Sequence, residues 1–180
     1  MTERGPILAA WARAHLREAL GGPVAQRPSE PWCGERAATF VTLRWRDSGA
    51  LQGCIGTLVA VRAIADDVAQ HVIAAGMHDP RGEMLVLPAV AELDLEISRL
   101  SEVEPVAVAD IRPGVDGIVL EHRGTRATLL PVMWEQLPEP AQFLAVLKQK
   151  AGLSRAFDSP ELRYSRYTTD RYVDRAPGAS

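Results

Sequence analysis

Only two cysteines, Cys33 and Cys54, occur in the 180 residues, and they form no Cys-x-x-Cys, so neither a disulfide framework nor a zinc knuckle is available. A reducing cytoplasm is the compartment this usage predicts. No apolar run reaches the roughly 18 residues a membrane-spanning helix needs. The N-terminus opens on Thr2, Glu3 and Arg4 and runs into mixed Ala, Arg and Glu, unlike an export signal. Charge of one sign is missing as well: 20 Lys plus Arg against 23 Asp plus Glu leave a net −3, which disfavours a broad basic face for a nucleic-acid backbone. No His-x-x-x-His, paired cysteine or tight acidic cluster offers a preformed metal site. Gly53-x-x-Gly56 lacks both the lysine and the helix start of a phosphate loop. Neither a metal nor a cofactor is therefore expected. Aromatic residues are few, at 6%, but 47% hydrophobic and 24% charged residues are ordinary globular proportions. At this length roughly 70% of the unfolded surface can be buried, enough for a core without staples.

Within those limits the apolar spacing predicts the elements. From Ile7 to Leu20, Ile7, Leu8, Trp11, Ala14 and Leu16 recur near the helical period until Gly21-Gly22-Pro23 stops them, an amphipathic helix. Residues 21–36, rich in proline and glycine, read as loop. Ala38 to Trp45 and Leu51 to Leu58 flank the turn chemistry of Arg46-Asp47-Ser48-Gly49 and predict a hairpin. Ile64, Val68, Val72 and Ala75 share one stripe of a helix over Val61 to Met77, which Asp79-Pro80 ends. Leu93, Leu95 and Ile97 alternate with Asp94, Glu96 and Ser98, the period of a strand with one wet face.

The second half repeats that order. Gly117 to His122 and Arg126 to Leu130 form strands around Arg123-Gly124; a helix then starts at Pro140, carries Phe143, Leu144, Leu147 and Ala151, and closes at Gly152. Leu162 to Tyr167 reads as the last strand. Hairpins and helices recur at nearly equal offsets, which predicts a duplication in element order. Hairpin connections predict mainly antiparallel sheets with helices packed on them, an α+β fold. The expected layout is one domain over residues 1–173, with two sub-lobes dividing near residues 102–116, and a disordered tail over residues 174–180.

The chemistry concentrates in Leu51-Gln52-Gly53-Cys54-Ile55-Gly56, a cysteine between two glycines inside a predicted strand. Glycine weakens a strand and marks a bulge or a place where a backbone or ligand comes close. Cys54 reads either as a small buried apolar side chain or, if a cation or helix N-terminus lowers its pKa, as a nucleophile. His78 would approach Cys54 if the helix folds back on the hairpin. His71, at the margin of the buried stripe, reads as a satisfied or half-exposed histidine, and His15 and His122 as surface residues. Asp79 and Arg81 read equally as a helix stop and as a charged rim beside the hexapeptide. Glu96 reads as solvated unless its face is a cleft, Asp116-Gly117 as turn chemistry, and Trp134, Phe143 and Leu147 as core or interface.

Phe40-Val41-Thr42-Leu43, the hexapeptide, Asp79-Pro80-Arg81, the segment Leu93 to Ser101, Gly114-Val115-Asp116-Gly117, Leu130-Pro131 with Trp134-Glu135-Gln136-Leu137, and Lys150-Ala151-Gly152-Leu153 follow one another in the chain. In that order they resemble the AMMECR-type domain family, over nearly everything from Ile7 to Tyr172. The resemblance implies a two-lobed α+β domain of duplicated β-α-β-β motifs with no settled catalytic activity. It also implies two partners within an AmmeMemoRadiSam-type system, a Memo-type protein and a radical SAM enzyme. In the family the hexapeptide is usually Leu-Arg-Gly-Cys-Ile-Gly. Here Gln52 replaces the arginine, so a neutral hydrogen-bonding group stands where a permanent cation would stabilise a thiolate or grip an anion. Residues two apart share a face on a regular strand, but a bulge would break that relation. Gly82 stands where relatives generally carry phenylalanine.

Two functions follow. In the first, an accessory or binding protein uses a glycine-lined groove around Cys54, with Gln52, Gly53, Ile55, Gly56, Asp79 and Arg81, to bind a small ligand or a segment of a Memo-type or radical SAM partner. In the second, Cys54 is the reactive thiolate of an enzyme or redox participant. The first is favoured, because no histidine is fixed beside the thiol by sequence and Gln52 removes the cation.

Overall fold

Along the chain the elements are α1 (Arg4–Ala19), β1 (Thr39–Trp45), β2 (Leu51–Gly56), α2 (Ile64–Ile73), β3 (Leu93–Leu100), β4 (Glu104–Pro105), β5 (Gly117–His122), β6 (Thr125–Leu129), α3 (Pro140–Lys150), β7 (Arg163–Tyr167) and β8 (Thr169–Asp174), joined by short 3₁₀ turns. The computed structural model describes residues 3–175. The chain divides into two compact units, one of Met1–Leu100 with Asp170–Ser180 and one of Ser101–Thr169.

In the first unit the sheet order is β2-β1-β3-β8, and β1 runs antiparallel to both neighbours. Val41 lies opposite Ile55 and Ile97, and Leu43 opposite Gly53 and Leu95. This face meets Leu8, Ala12 and Leu16 of α1 and Ile64, Val68 and Val72 of α2 in one core. Each such aliphatic side chain contributes about 1.5–3 kcal/mol when fully buried. The second unit has the order β4-β7-β5-β6. Ile118 and Leu120 of β5 join Phe143 and Leu147 of α3, and Trp134 stacks on Phe143 at 3.8 Å between ring centroids. Helix α3 ends as its sequence predicts, with Gly152 at φ +76°, its N–H on the Gln149 carbonyl and the Leu153 N–H on that of Lys148.

The duplication is real at the level of topology. Each unit runs strand, strand, helix, strand, and the three strands pair in the same order, β2-β1-β3 and β6-β5-β7. These are the three strands and one helix of the implied repeat.

Four local expectations need correction. The long helix over Val61 to Met77 is α2 followed by one π-helical turn, Ala74–His78. The boundary between units falls at Leu100 and Ser101, ahead of residues 102–116, and the chain returns to the first unit at Asp170. That return is β8, a strand whose Thr-Asp-Arg-Tyr-Val-Asp sequence carries no clean apolar alternation. It is held instead by tertiary contacts: the Tyr172 side chain packs against Gly5, where a Cβ would come within 2.4 Å of its ring, and Arg13 donates to Asp174 at 2.6 Å. The tail expected from Asp174 therefore starts inside a strand, and its residues 176–180 lie outside the described residues. Finally, the polar face of β3 is not fully wet. Ser98 is buried, and Glu96 is half-buried with Arg171 on its carboxylate at 2.6 Å.

Candidate functional site

Strand β2 lies at the edge of its sheet, where outward N–H and C=O groups need partners. At Cys54 two side chains supply both. The Cys54 amide donates to Asp79 Oδ2 at 2.9 Å, and Arg81 Nη2 donates to the Cys54 carbonyl at 3.1 Å. Arg81 also grips Asp79 bidentately, through Nε at 2.9 Å and Nη2 at 2.6 Å, while its own amide donates to Oδ1 at 3.0 Å. The Arg81 guanidinium holds the Asp79 carboxyl well below the usual carboxylate range, overcoming its burial, with the Cys54 amide helping. Pro80 between them stops the helix, so the tripeptide is both the helix stop and the clamp on β2.

The two glycines are bare for the protein's own chain. A Cβ on Gly53 would stand 1.9 Å from the Ala75 carbonyl oxygen, and one on Gly56 2.4 Å from the Thr39 carbonyl and 2.3 Å from the Phe40 ring. Close approach is the reason for both, but what approaches is the protein's own π-helical turn and strand β1, not the ligand or partner for which a glycine-lined groove is expected. This narrows the expected groove: the half-buried surface is that of Cys54, Ile55 and Gly56, with Gly53 buried behind it.

Gln52 is the extra residue of a β-bulge. Leu43 faces Gly53 and Arg44 faces Leu51, leaving Gln52 without an opposite number. The bulge sends its side chain to the helix-covered side, where it is 1% exposed. Its amide nitrogen donates to the carbonyls of Gly76 at 3.0 Å and Glu83 at 2.8 Å, and its oxygen accepts from Trp45 Nε1 at 3.1 Å and the Glu83 amide at 3.3 Å. All four hydrogen-bonding valences are filled. Gln52 therefore caps a helix-end carbonyl and ties down the 79–83 segment, and it does not address the thiol. Gly82 sits against it: a Cβ there would be 2.0 Å from the Gln52 carbonyl. The two departures from the family pattern touch each other.

Cys54 Sγ lies on the opposite face, where it accepts a hydrogen bond from the Thr42 hydroxyl at 3.2 Å. Thr42 is opposite Cys54 on one side and Glu96 on the other, so Cys54, Thr42, Glu96 and Arg171 form a polar row across the sheet. Nothing in the sequence reading joined Thr42 to this row, although the alternation that flagged Glu96 contains the signal.

The histidines lie elsewhere. His78 is exposed. His71 is buried, more so than expected, with Nδ1 3.3 Å from the Thr39 hydroxyl and from Asp67. Asp67, wholly buried and unnoticed in the sequence, accepts from the Thr39 amide and hydroxyl and from Arg62. Burial pushes its carboxyl up, but hydrogen bonds from His71, Thr39 and Arg62 outweigh that and hold it low. The cluster ties the start of β1 to α2. His122 is also less exposed than expected, edge-on to Phe157 at 5.0 Å. His15 stacks on Trp11 at 4.8 Å. Among the described residues no group of three His, Cys, Asp or Glu could hold a metal ion, and no helix is long and apolar enough to cross a membrane.

The sequence model of the AMMECR1 family matches residues 9–172. A protein of Methanothermobacter thermautotrophicus is 36% identical over 142 residues, 74% of this chain and 73% of that protein. One of Thermoplasma acidophilum is 31% identical over 152 residues, 80% of this chain and 72% of its own. The crystal structure of a Pyrococcus horikoshii protein superposes with a TM-score of 0.88 at 25% identity, covering 97% of this chain and 93% of that one.

Proposed function

The chain belongs to the AMMECR1 family, and we propose that it serves as a binding module: the surface of Cys54 and Gly56 with the Ile55 backbone between them, rimmed by Arg81, receives a small ligand or a segment of a Memo-type or radical SAM partner. The observation that carries this reading is the clamp. Asp79 and Arg81 fix the backbone of Cys54 on both of its outward groups, which presents a half-exposed thiol on a rigid edge while Arg81 itself stays largely in solvent. Rigid presentation favours recognition by lowering the ordering cost of binding. The sulfur accepts a hydrogen bond from the neutral Thr42 hydroxyl, which orients it, and among the described residues no histidine partners Cys54 as a base.

The test is a titration of the purified chain against the Memo-type protein and the radical SAM enzyme, followed by calorimetry. Binding that survives Cys54→Ser but is lost in Arg81→Glu is the expected result. The competing reading, Cys54 as a reactive thiolate, is decided by the pH dependence of iodoacetamide labelling: a midpoint near or above about 8.5 ends it, and one near or below about 7 replaces the binding reading with it.

A further inference from the structure

The second unit carries a cavity of its own. Strand β4 ends at Pro105, the Val106 amide donates to the Tyr164 carbonyl at 3.0 Å, and the chain then leaves β7 for the 3₁₀ turn Val108–Asp110. Between that segment and the start of β7 lies a cavity of about 540 Å³, a size that suits a small molecule. Its lining belongs wholly to Ser101–Thr169. Val106, Val108, Leu162 and Tyr164 give it an apolar wall, and Glu121, Asp158 and Arg163 bring its charges.

Those three charges differ in their commitments. Glu121 lies in register between Arg126 of β6 and Arg163 of β7, and its carboxylate pairs with Arg126 at 2.8 Å. Arg163 is left over: it is exposed, and among the described residues it has no ion pair or side-chain hydrogen bond. Asp158 makes no ion pair among them either. Its Oδ1 accepts the Ser159 amide at 3.0 Å, which leaves Oδ2 for another donor. Burial, and after it the Asp158 carboxylate, pushes the Tyr164 hydroxyl up, so that carboxylate stands on the tyrosine side of the cavity. One uncommitted cation and one uncommitted anion therefore border the same apolar wall without pairing with each other.

We propose that this cavity binds a free apolar amino acid, with its carboxylate on the Arg163 guanidinium, its ammonium on Asp158 and its side chain against Val106, Leu162 and Tyr164. A guanidinium fork matches a carboxylate in shape as well as charge. A zwitterion satisfies both lining charges at once, whereas a simple acid or amine leaves one of them facing apolar groups without a partner. A peptide fits worse, because its two terminal charges sit on different residues.

The experiment is a titration of the isotope-labelled full chain with L-leucine, followed by amide chemical shifts. Saturable shifts centred on residues 105–108 and 158–165 are expected. Leucinamide, which lacks the carboxylate, and 4-methylpentanoate, which lacks the ammonium, should each bind at least about tenfold more weakly. Arg163→Gln should erase the preference for leucine over leucinamide, and Asp158→Asn the preference over 4-methylpentanoate. That crossed pattern is one a loss of fold would not produce, and both side chains are exposed, so the thermal melts should be unchanged. Cys54→Ser should leave the titration unaltered, which separates this cavity from the surface around the thiol. Shifts that never saturate, equal affinity for leucine and 4-methylpentanoate, or variants that weaken all three ligands alike would overturn the proposal. So would tighter binding of the dipeptide Leu-Leu, which would assign the cavity to the end of a polypeptide.

Discussion

Each unit holds one buried aspartate gripped bidentately by an arginine of its own loop, and the two pairs do different work. In the second unit Asp116 takes Arg112 Nη2 at 2.6 Å and the Arg112 amide at 2.9 Å, so the pair closes the turn before β5, while Arg166 of β7 stands 3.9 Å from the same carboxylate, an ion pair beyond hydrogen-bond distance. In the first unit Asp79 takes Arg81 in the same manner but spends one lone pair on the Cys54 amide, 25 residues away. The chemistry is shared; the hydrogen bond to a strand's backbone is what sets the first pair apart. A local clamp shapes a loop; a clamp that crosses to a strand edge fixes what that strand presents. The glycines divide likewise. Gly53 is confronted by a backbone carbonyl, whereas a Cβ on Gly117 would stand 2.4 Å from the Tyr167 ring, an obstacle made of side chain rather than backbone.

The largest break in that comparison should come from Gly53→Val, whose side chain would have to displace the π-helical turn. A loss above about 3 kcal/mol in urea unfolding is expected, with Gly117→Ala costing clearly less; equal costs would show that the carbonyl at Ala75 yields as easily as a ring.

Next, Asp79→Ala and Asp116→Ala should each cost about 2 kcal/mol, yet only the first should speed alkylation of Cys54, since only the first frees its strand edge. Equal labelling rates in the two variants would deny the clamp any role in presenting the thiol.

Acid comes third. Asp67, Asp79 and Asp116 all have carboxyl pKa values held below their ordinary range, each against a burial that alone would raise it. Their contribution is complete above the unfolded carboxylate value and disappears as pH falls through the depressed native ones, about 1.4 kcal/mol for each pKa unit of depression. The urea midpoint should therefore be level near neutrality and drop steeply below about pH 4; a midpoint unchanged from neutral to strongly acidic solution would refute the assignment. Smallest of all is Arg123→Ala. Its ion pair with Glu161 is mostly in solvent, and no measurable change in stability is expected.

The sequence made the repeat legible because each core strand and helix announces itself by period. Leu93, Leu95 and Ile97 could only be a strand, and Phe143, Leu144 and Leu147 only a helix stripe. It hid β8, since Thr169–Asp174 has no apolar alternation and depends on Gly5 and Arg13, residues more than 150 positions away. The hexapeptide was legible as a place of close approach, but not what approaches, because the Ala75 carbonyl reaches Gly53 only once α2 has loosened into a wider turn. Gln52 shows the same limit. Its identity announced a missing charge, while its role as a four-bonded strut required the bulge, and with it the register, to be known. Asp67 was invisible for a related reason: a carboxylate on the first turn of a helix is usually solvated, and only the fold brings Thr39 and His71 to it.

The placement of β8 also bears on how the molecule is made. Because Ser101–Thr169 intervenes between β3 and β8, a chain emerging from the ribosome has its first hundred residues in hand while the strand that completes their sheet has yet to be translated. Leu93, Leu95 and Ile97 can collapse onto the helices early, but Gly5 must wait for the Tyr172 ring and Glu96 for Arg171 until the second unit has been translated. The nascent first unit is a sheet with an open margin throughout that interval, and β8 closes it only after the whole second unit has been made.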